Sequence, residues 1–90
     1  MEMQVYCVRD AKAEAYLTPF YMVNEAMAMR AITDCIQDEN HQFNKHAEDF
    51  ALYHLGVYSD STGKFDLFDA PQHKINLVDM KPFELVQEEE

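Results

Sequence analysis

Apolar and polar positions change their period several times along the chain, and each change predicts an element. In residues 3–8, Met3, Val5 and Cys7 alternate with Gln4, Tyr6 and Val8, the period of two expected of a β-strand. Residues 11–23 have no clean period, and Pro19 pushes Thr18 out of helical geometry, which predicts a loop or single turn crossing over to a helix. The aromatics of that stretch, Tyr16, Phe20 and Tyr21, are expected to pack against the domain. From Asn24 the period becomes helical. An asparagine cap followed by Glu25 sets a side-chain acceptor and a negative charge against the free amides of a helix start. The helix predicted over 25–37 carries Ala28, Met29, Ile32, Cys35 and Ile36 as its apolar stripe, with Arg30, Thr33, Asp34 and Gln37 opposite.

A polar stretch, NHQFNKHAED, leads from residue 40 into FALYHLGVYS, which is apolar on both parities. Simple alternation sets Ala51, Tyr53, Leu55 and Val57 on one face and Phe50, Leu52 and Tyr58 on the other, so this segment reads as a central strand. The turn chemistry of SDSTGK, with Gly63 available for positive φ, joins it to KFDLFD, and residues 50–69 read as an antiparallel hairpin ended by Pro71. HKINLVDM is a fourth strand candidate with His73, Ile75 and Leu77 on one side, and Pro82 limits its continuation.

The expected fold class is therefore α+β, with one main helix packed on a small, mostly antiparallel sheet of three to four strands. The chain reads as a single domain over residues 1–87 with an acidic tail at 88–90. One helix cannot cover a sheet that is apolar on both sides, so a homodimer is expected, with Tyr6, Val8, Phe50, Leu52 and Tyr58 on the face away from the helix stripe as its interface.

Charge alters this picture more than composition does. The net charge of −10 repels polyphosphate unless the cations gather on one face. Residues 1–30 hold three cations against four acids, residues 31–60 one against six, and residues 61–90 three against seven. Any anion-binding surface should draw on the first third. Cys7 and Cys35 fall in apolar patterns without C-x-x-C spacing and read as core residues. No leader sequence opens the chain and no apolar run approaches the ~20 residues of a membrane helix, so a soluble protein of a reducing cytoplasm is expected.

For chemistry, His41, His46, Glu48 and Asp49 are the candidate metal ligands, but their spacing matches no compact ligand motif, and helix and strand capping accounts for them better. His54 reads as a hydrogen-bonded sheet residue. With serines confined to one turn and no Gly-rich phosphate cradle, neither an enzyme, nor a metal, nor a cofactor is expected. Arg9 and Lys12, leaving the first strand beside Tyr6 and Tyr16, supply the cation-plus-aromatic combination of single-strand binders.

Two segments, YCVRDAKAEAYLTPFY (6–21) and ITDCIQDENHQFNKHAEDFALYHLGVYSDSTGKFD (32–66), resemble the nonstructural protein of the gokushoviruses, a branch of the Microviridae, tailless phages with circular single-stranded DNA genomes. The resemblance covers about two thirds of the chain and keeps the family's D-x-K-A-x-x-Y/F-x-x-P-F and N-H-Q-F-x-K/R-H-x-E-D-F/Y blocks in order; Asn44 and Ala47 stand where a glycine and a proline are common, and the C-terminal third departs from the pattern. It implies a non-capsid protein of the host bacterial cytoplasm that acts in phage DNA replication, at the switch to single-stranded genome synthesis, by binding DNA. With the charge pattern, it directs attention to Arg9, Lys12, Tyr16, Lys45 and His46, shared between two subunits, as a groove for single-stranded DNA. The alternative is an acidic adaptor that docks on a phage or host replication protein without touching DNA. An acidic mimic of DNA, suggested by the terminal carboxylate run, is a third option.

Overall fold

The computed structural model describes residues 1–80, and the expected tail at 88–90 lies outside the described residues. The elements run β1 (Glu2–Asp10), β2 (Ala15–Tyr16), β3 (Phe20–Met22), α1 (Glu25–Gln37), a short α2 (Gln42–Lys45), β4 (Phe50–Ser59) and β5 (Lys64–Asn76). Single 3-10 turns at Ala47–Asp49 and Leu77–Met80 lead into β4 and out of β5. The fold is α+β: one main helix on a curled antiparallel sheet ordered β2-β1-β4-β5, with β3 also paired to β1.

The helix α1 has the bounds its sequence predicts. Asn24 is extended, and its Oδ1 accepts the Met27 amide at 2.9 Å, satisfying a donor that the first turn leaves open. Ala28, Ile32 and Ile36 are buried, while Met29 and Cys35 pack at the margin of the core. The stripe rests on Tyr6, Val8, Phe50 and Leu52 and is closed at one end by Phe43, Ala47, Leu77 and Met80. Removing a side chain such as Leu52 or Ile36 from water contributes about 1.5–3 kcal/mol, so this single layer dominates the stability of the domain.

That packing corrects the expected dimer interface. Tyr6, Val8, Phe50 and Leu52 form the floor beneath α1 and are buried within one chain, Leu52 completely. The reason is parity. The helix takes the face of β1 that carries Tyr6 and Val8, so Val5 and Cys7 turn to the other side. Tyr58 alone of the five lies on the side away from the helix.

Two further expectations change. Residues 11–23 do not simply cross to the helix, because β2 and β3 fold back on β1: Arg9 opposes Tyr16 and Val5 opposes Tyr21. Asp10 makes this turn possible, its Oδ1 accepting the amides of Lys12 and Ala13, with Glu14 in the left-handed region at φ 56°. Nor does Pro71 end the hairpin. The fourth strand candidate is the far half of β5, which continues to Asn76 after an irregular stretch at 68–71. Pro71 is accommodated because β5 is an edge strand, where a missing donor breaks no ladder.

Candidate nucleic-acid interface

The sheet side left bare by α1 owes its character to one extra residue. Opposite β1, Val5 pairs with Gly56 and Tyr6 with His54, so Leu55 has no partner and forms a β-bulge. The bulge reverses the parity of β4. Before it, odd residues point away from the helix; after it, even residues do. Tyr53 and Tyr58 consequently share the bare face with Cys7 and Met3, the residues of β1 opposite them, and with Val5 between. Gly56 permits this geometry: it sits at φ 151°, and a Cβ there would strike the Asp66 carbonyl and approach Leu67 Cα to 2.7 Å.

At one end of this face the rings of Tyr16 and Tyr53 meet edge-to-face, centroids 5.4 Å apart at 80°, and Tyr53 meets His73 at 5.4 Å and 82°. The Arg9 guanidinium lies 5.8 Å from the Tyr16 ring centroid, near enough for a cation–π contact. Among the described residues no carboxylate reaches it within salt-bridge distance. Glu48 and Asp49 border a small polar hollow that Arg9 shares with Tyr53 and Asn76. His73 Nε2–H donates to Asn76 Oδ1 at 2.8 Å, fixing the imidazole beside Tyr53.

At the other end Tyr21 meets Tyr58 at 5.7 Å and 67°, and both contact Phe65, at 6.4 and 4.9 Å. Between the two clusters Val5 and Cys7 are almost fully buried, small side chains at the foot of taller rings. Burial pushes the Cys7 thiol pKa up, so it is held as a neutral thiol. Tyr16, Tyr21, Phe65 and Leu67 are each between 43% and 56% exposed, a concentration of apolar surface that the helix side lacks.

Charge on this face runs against the net charge of the chain. Glu2, Asp10 and Asp66 have the opposite parity, so among the described residues the paired ladder positions of this face carry Arg9 and no carboxylate, with Glu48 and Asp49 at its rim beside Arg9.

Of the residues singled out from sequence, Arg9 and Tyr16 are brought together, and Lys12 projects from the adjoining turn, exposed. Lys45 and His46 lie at the end of α2, both exposed, and the segment that follows them is tied to this region by the Ala11 amide, which donates to the Asp49 carbonyl at 2.8 Å. Sequence reading missed Tyr21, Tyr53, Phe65 and His73. For Tyr53, Phe65 and His73 the signal was present in strand alternation, but the parity change at Leu55 hid which of them share a face.

The polar loop behaves as a capping segment. His41 Nδ1 accepts the Phe43 amide at 3.0 Å, Asp38 Oδ1 accepts the Asn40 amide, and Asn44 Nδ2 donates to the Ile36 carbonyl at 2.6 Å. His46, Glu48 and Asp49 gather with ligand atoms within 4.8 Å of one another, but His46 and Glu48 are exposed, and His41 is engaged elsewhere. His54 is a sheet residue facing the helix side: its ring stacks on Tyr6 at 4.6 Å, and Nε2–H donates to Gln4 Oε1 at 2.9 Å and to the Gly56 carbonyl at 3.1 Å. Burial lowers its pKa, partly countered by the Gly56 carbonyl.

A family model described as Phage ORF5 protein matches residues 3–80. The chain belongs to that phage protein family. The match runs from residue 3 in β1 through the turn at Leu77–Met80, reaching residues 67–80 that the resemblance left aside, and both aromatic clusters lie inside it. Neither the curated proteins nor the solved structures give a match. Among the described residues of this phage protein, no helix is long and apolar enough to cross a membrane.

Proposed function

We propose that this phage protein binds single-stranded DNA through the bare side of its sheet and acts in phage genome replication, at the stage that produces single-stranded genomes. The observation that carries this reading is the Arg9, Tyr16, Tyr53 and His73 cluster, on a side where the paired ladder positions of the described residues carry Arg9 and no carboxylate. Strand separation exposes π-faces that duplex DNA hides, and base–aromatic stacking contributes about 1–3 kcal/mol per base whatever the sequence. Stacking also explains how a chain of net charge −10 can take a polyanion: the affinity comes from rings, with Arg9 and Lys12 contributing the phosphate contacts.

The test is retention of a ~20-nucleotide oligo(dT) on filters at about 50 mM salt and micromolar protein, with duplex as the control. Retention of the single strand in preference to duplex is expected, and Tyr16→Ala should lower it. No retention of the single strand would overturn the reading.

The charge favours a second reading, an acidic adaptor for a basic phage or host replication protein. A pull-down from infected cells separates the two, since an adaptor keeps its replication partner after nuclease treatment, whereas a DNA binder loses its associations.

A further inference from the structure

Tyr53 opposes Cys7 and Tyr58 opposes Met3, so the two aromatic clusters are separated by four residue steps of β1, or about 13 Å at the rise of a strand. Resting on the proposed function, we infer that Tyr21, Tyr58 and Phe65 form a second stacking station, and that one single strand crosses the sheet to occupy both. Three observations bear on the occupant.

The first is ring orientation. In the edge-to-face pairs Tyr16–Tyr53 and Tyr21–Tyr58 one ring offers its edge, which leaves its own faces unused by its partner. A flat aromatic base fits such a free face. The second is spacing: at about 3.4 Å per stacked base, or roughly twice that in a stretched strand, the interval between the stations spans about two to four nucleotides.

The third is charge. A second copy of the chain seated symmetrically on the same side would bring two Arg9 side chains together across ladders whose paired positions carry no carboxylate, as water is removed. A phosphate backbone supplies the missing anion. Every base has a π-face for these rings to stack on, so binding is sensitive to length and tolerant of sequence.

The experiment is a fluorescence-anisotropy series with oligo(dT) from ~3 to ~12 nucleotides, on wild type and on the double variant Tyr21→Ser/Phe65→Ser. Both positions are about half exposed, and circular dichroism checks that the variant folds. Wild type should show a step in affinity once an oligonucleotide reaches about five or six nucleotides, and the double variant should lose that step, roughly 5- to 150-fold for each stacked ring, while binding the shortest oligonucleotides as wild type does. If long oligonucleotides bind wild type and double variant equally, the second station is wrong and the proposed function stands. If no oligonucleotide binds wild type at any length, both fall. If the double variant instead converts a sedimenting dimer into a monomer without changing DNA affinity, this side belongs to a second copy and the inference is overturned.

Discussion

Tyr53 and Tyr58 stand five positions apart on β4 yet project from the same side of the sheet, because the unpaired Leu55 between them reverses the alternation. The bulge, and the glycine beside it, are the features on which the arrangement of the bare face depends.

Gly56→Ala is therefore expected to destabilise the protein by about 3 kcal/mol or more, since it combines a backbone conformation foreign to L-residues with a collision against the β5 backbone. Urea unfolding measures it. Gly63→Ala, where a Cβ would meet nothing, is the comparison, and its loss should be smaller and due to φ alone. Equal losses at the two glycines would refute the close approach at Gly56.

The two sides of the sheet should respond differently to truncation. Leu52→Ala opens a cavity beneath α1 and should cost about 2–5 kcal/mol, whereas Leu67→Ala, on the bare side, should stay within about 0.5 kcal/mol of wild type. Chemical denaturation of both variants checks this. A large loss at Leu67 would mean that something covers that side.

At the helix start, Asn24→Ala removes the acceptor for the Met27 amide and should cost about 1 kcal/mol, while Asn24→Asp should retain most of it. The pair of thermal midpoints is the readout, and equal midpoints for Ala and Asp would contradict the cap.

His54 gives the stability a pH dependence with a definite sign. Burial lowers its folded pKa below the unfolded value of about 6.5, so the unfolded chain binds the proton more readily. The neutral ring's contribution is complete above the unfolded pKa and is lost as pH falls through the folded one. Thermal midpoints from pH 8 to 5 should drop more steeply for wild type than for His54→Gln, with identical slopes as the contrary result.

Much of this fold could be read from the residues. Asn24 and the spacing of Ala28, Ile32 and Ile36 fix α1 because cap and stripe are local signals, each contained within a few turns. β4 was recognisable as a central strand for the same reason. What was not legible depends on non-local pairing. Nothing near Leu55 announces a bulge, so counting by twos put Tyr58 with Phe50 and Leu52. The choice of Tyr6 and Val8 over Val5 and Cys7 as the helix side is likewise decided by how α1 docks, as both sets are apolar. Arg9 and Tyr16 were found by proximity in chemistry, and their ring neighbours on β4 and β5 needed the register.

The rim of the sheet has its own consequence. β5 is a long outer strand, and one with a regular, apolar course would offer its open amides and carbonyls to any neighbouring chain. Lys64, Asp66, Asp69 and Lys74 place charges of both signs along it, and Pro71 with the irregular stretch before it interrupts the row. Resistance to fibril-like lateral growth is thus written into the outermost strand rather than into the core.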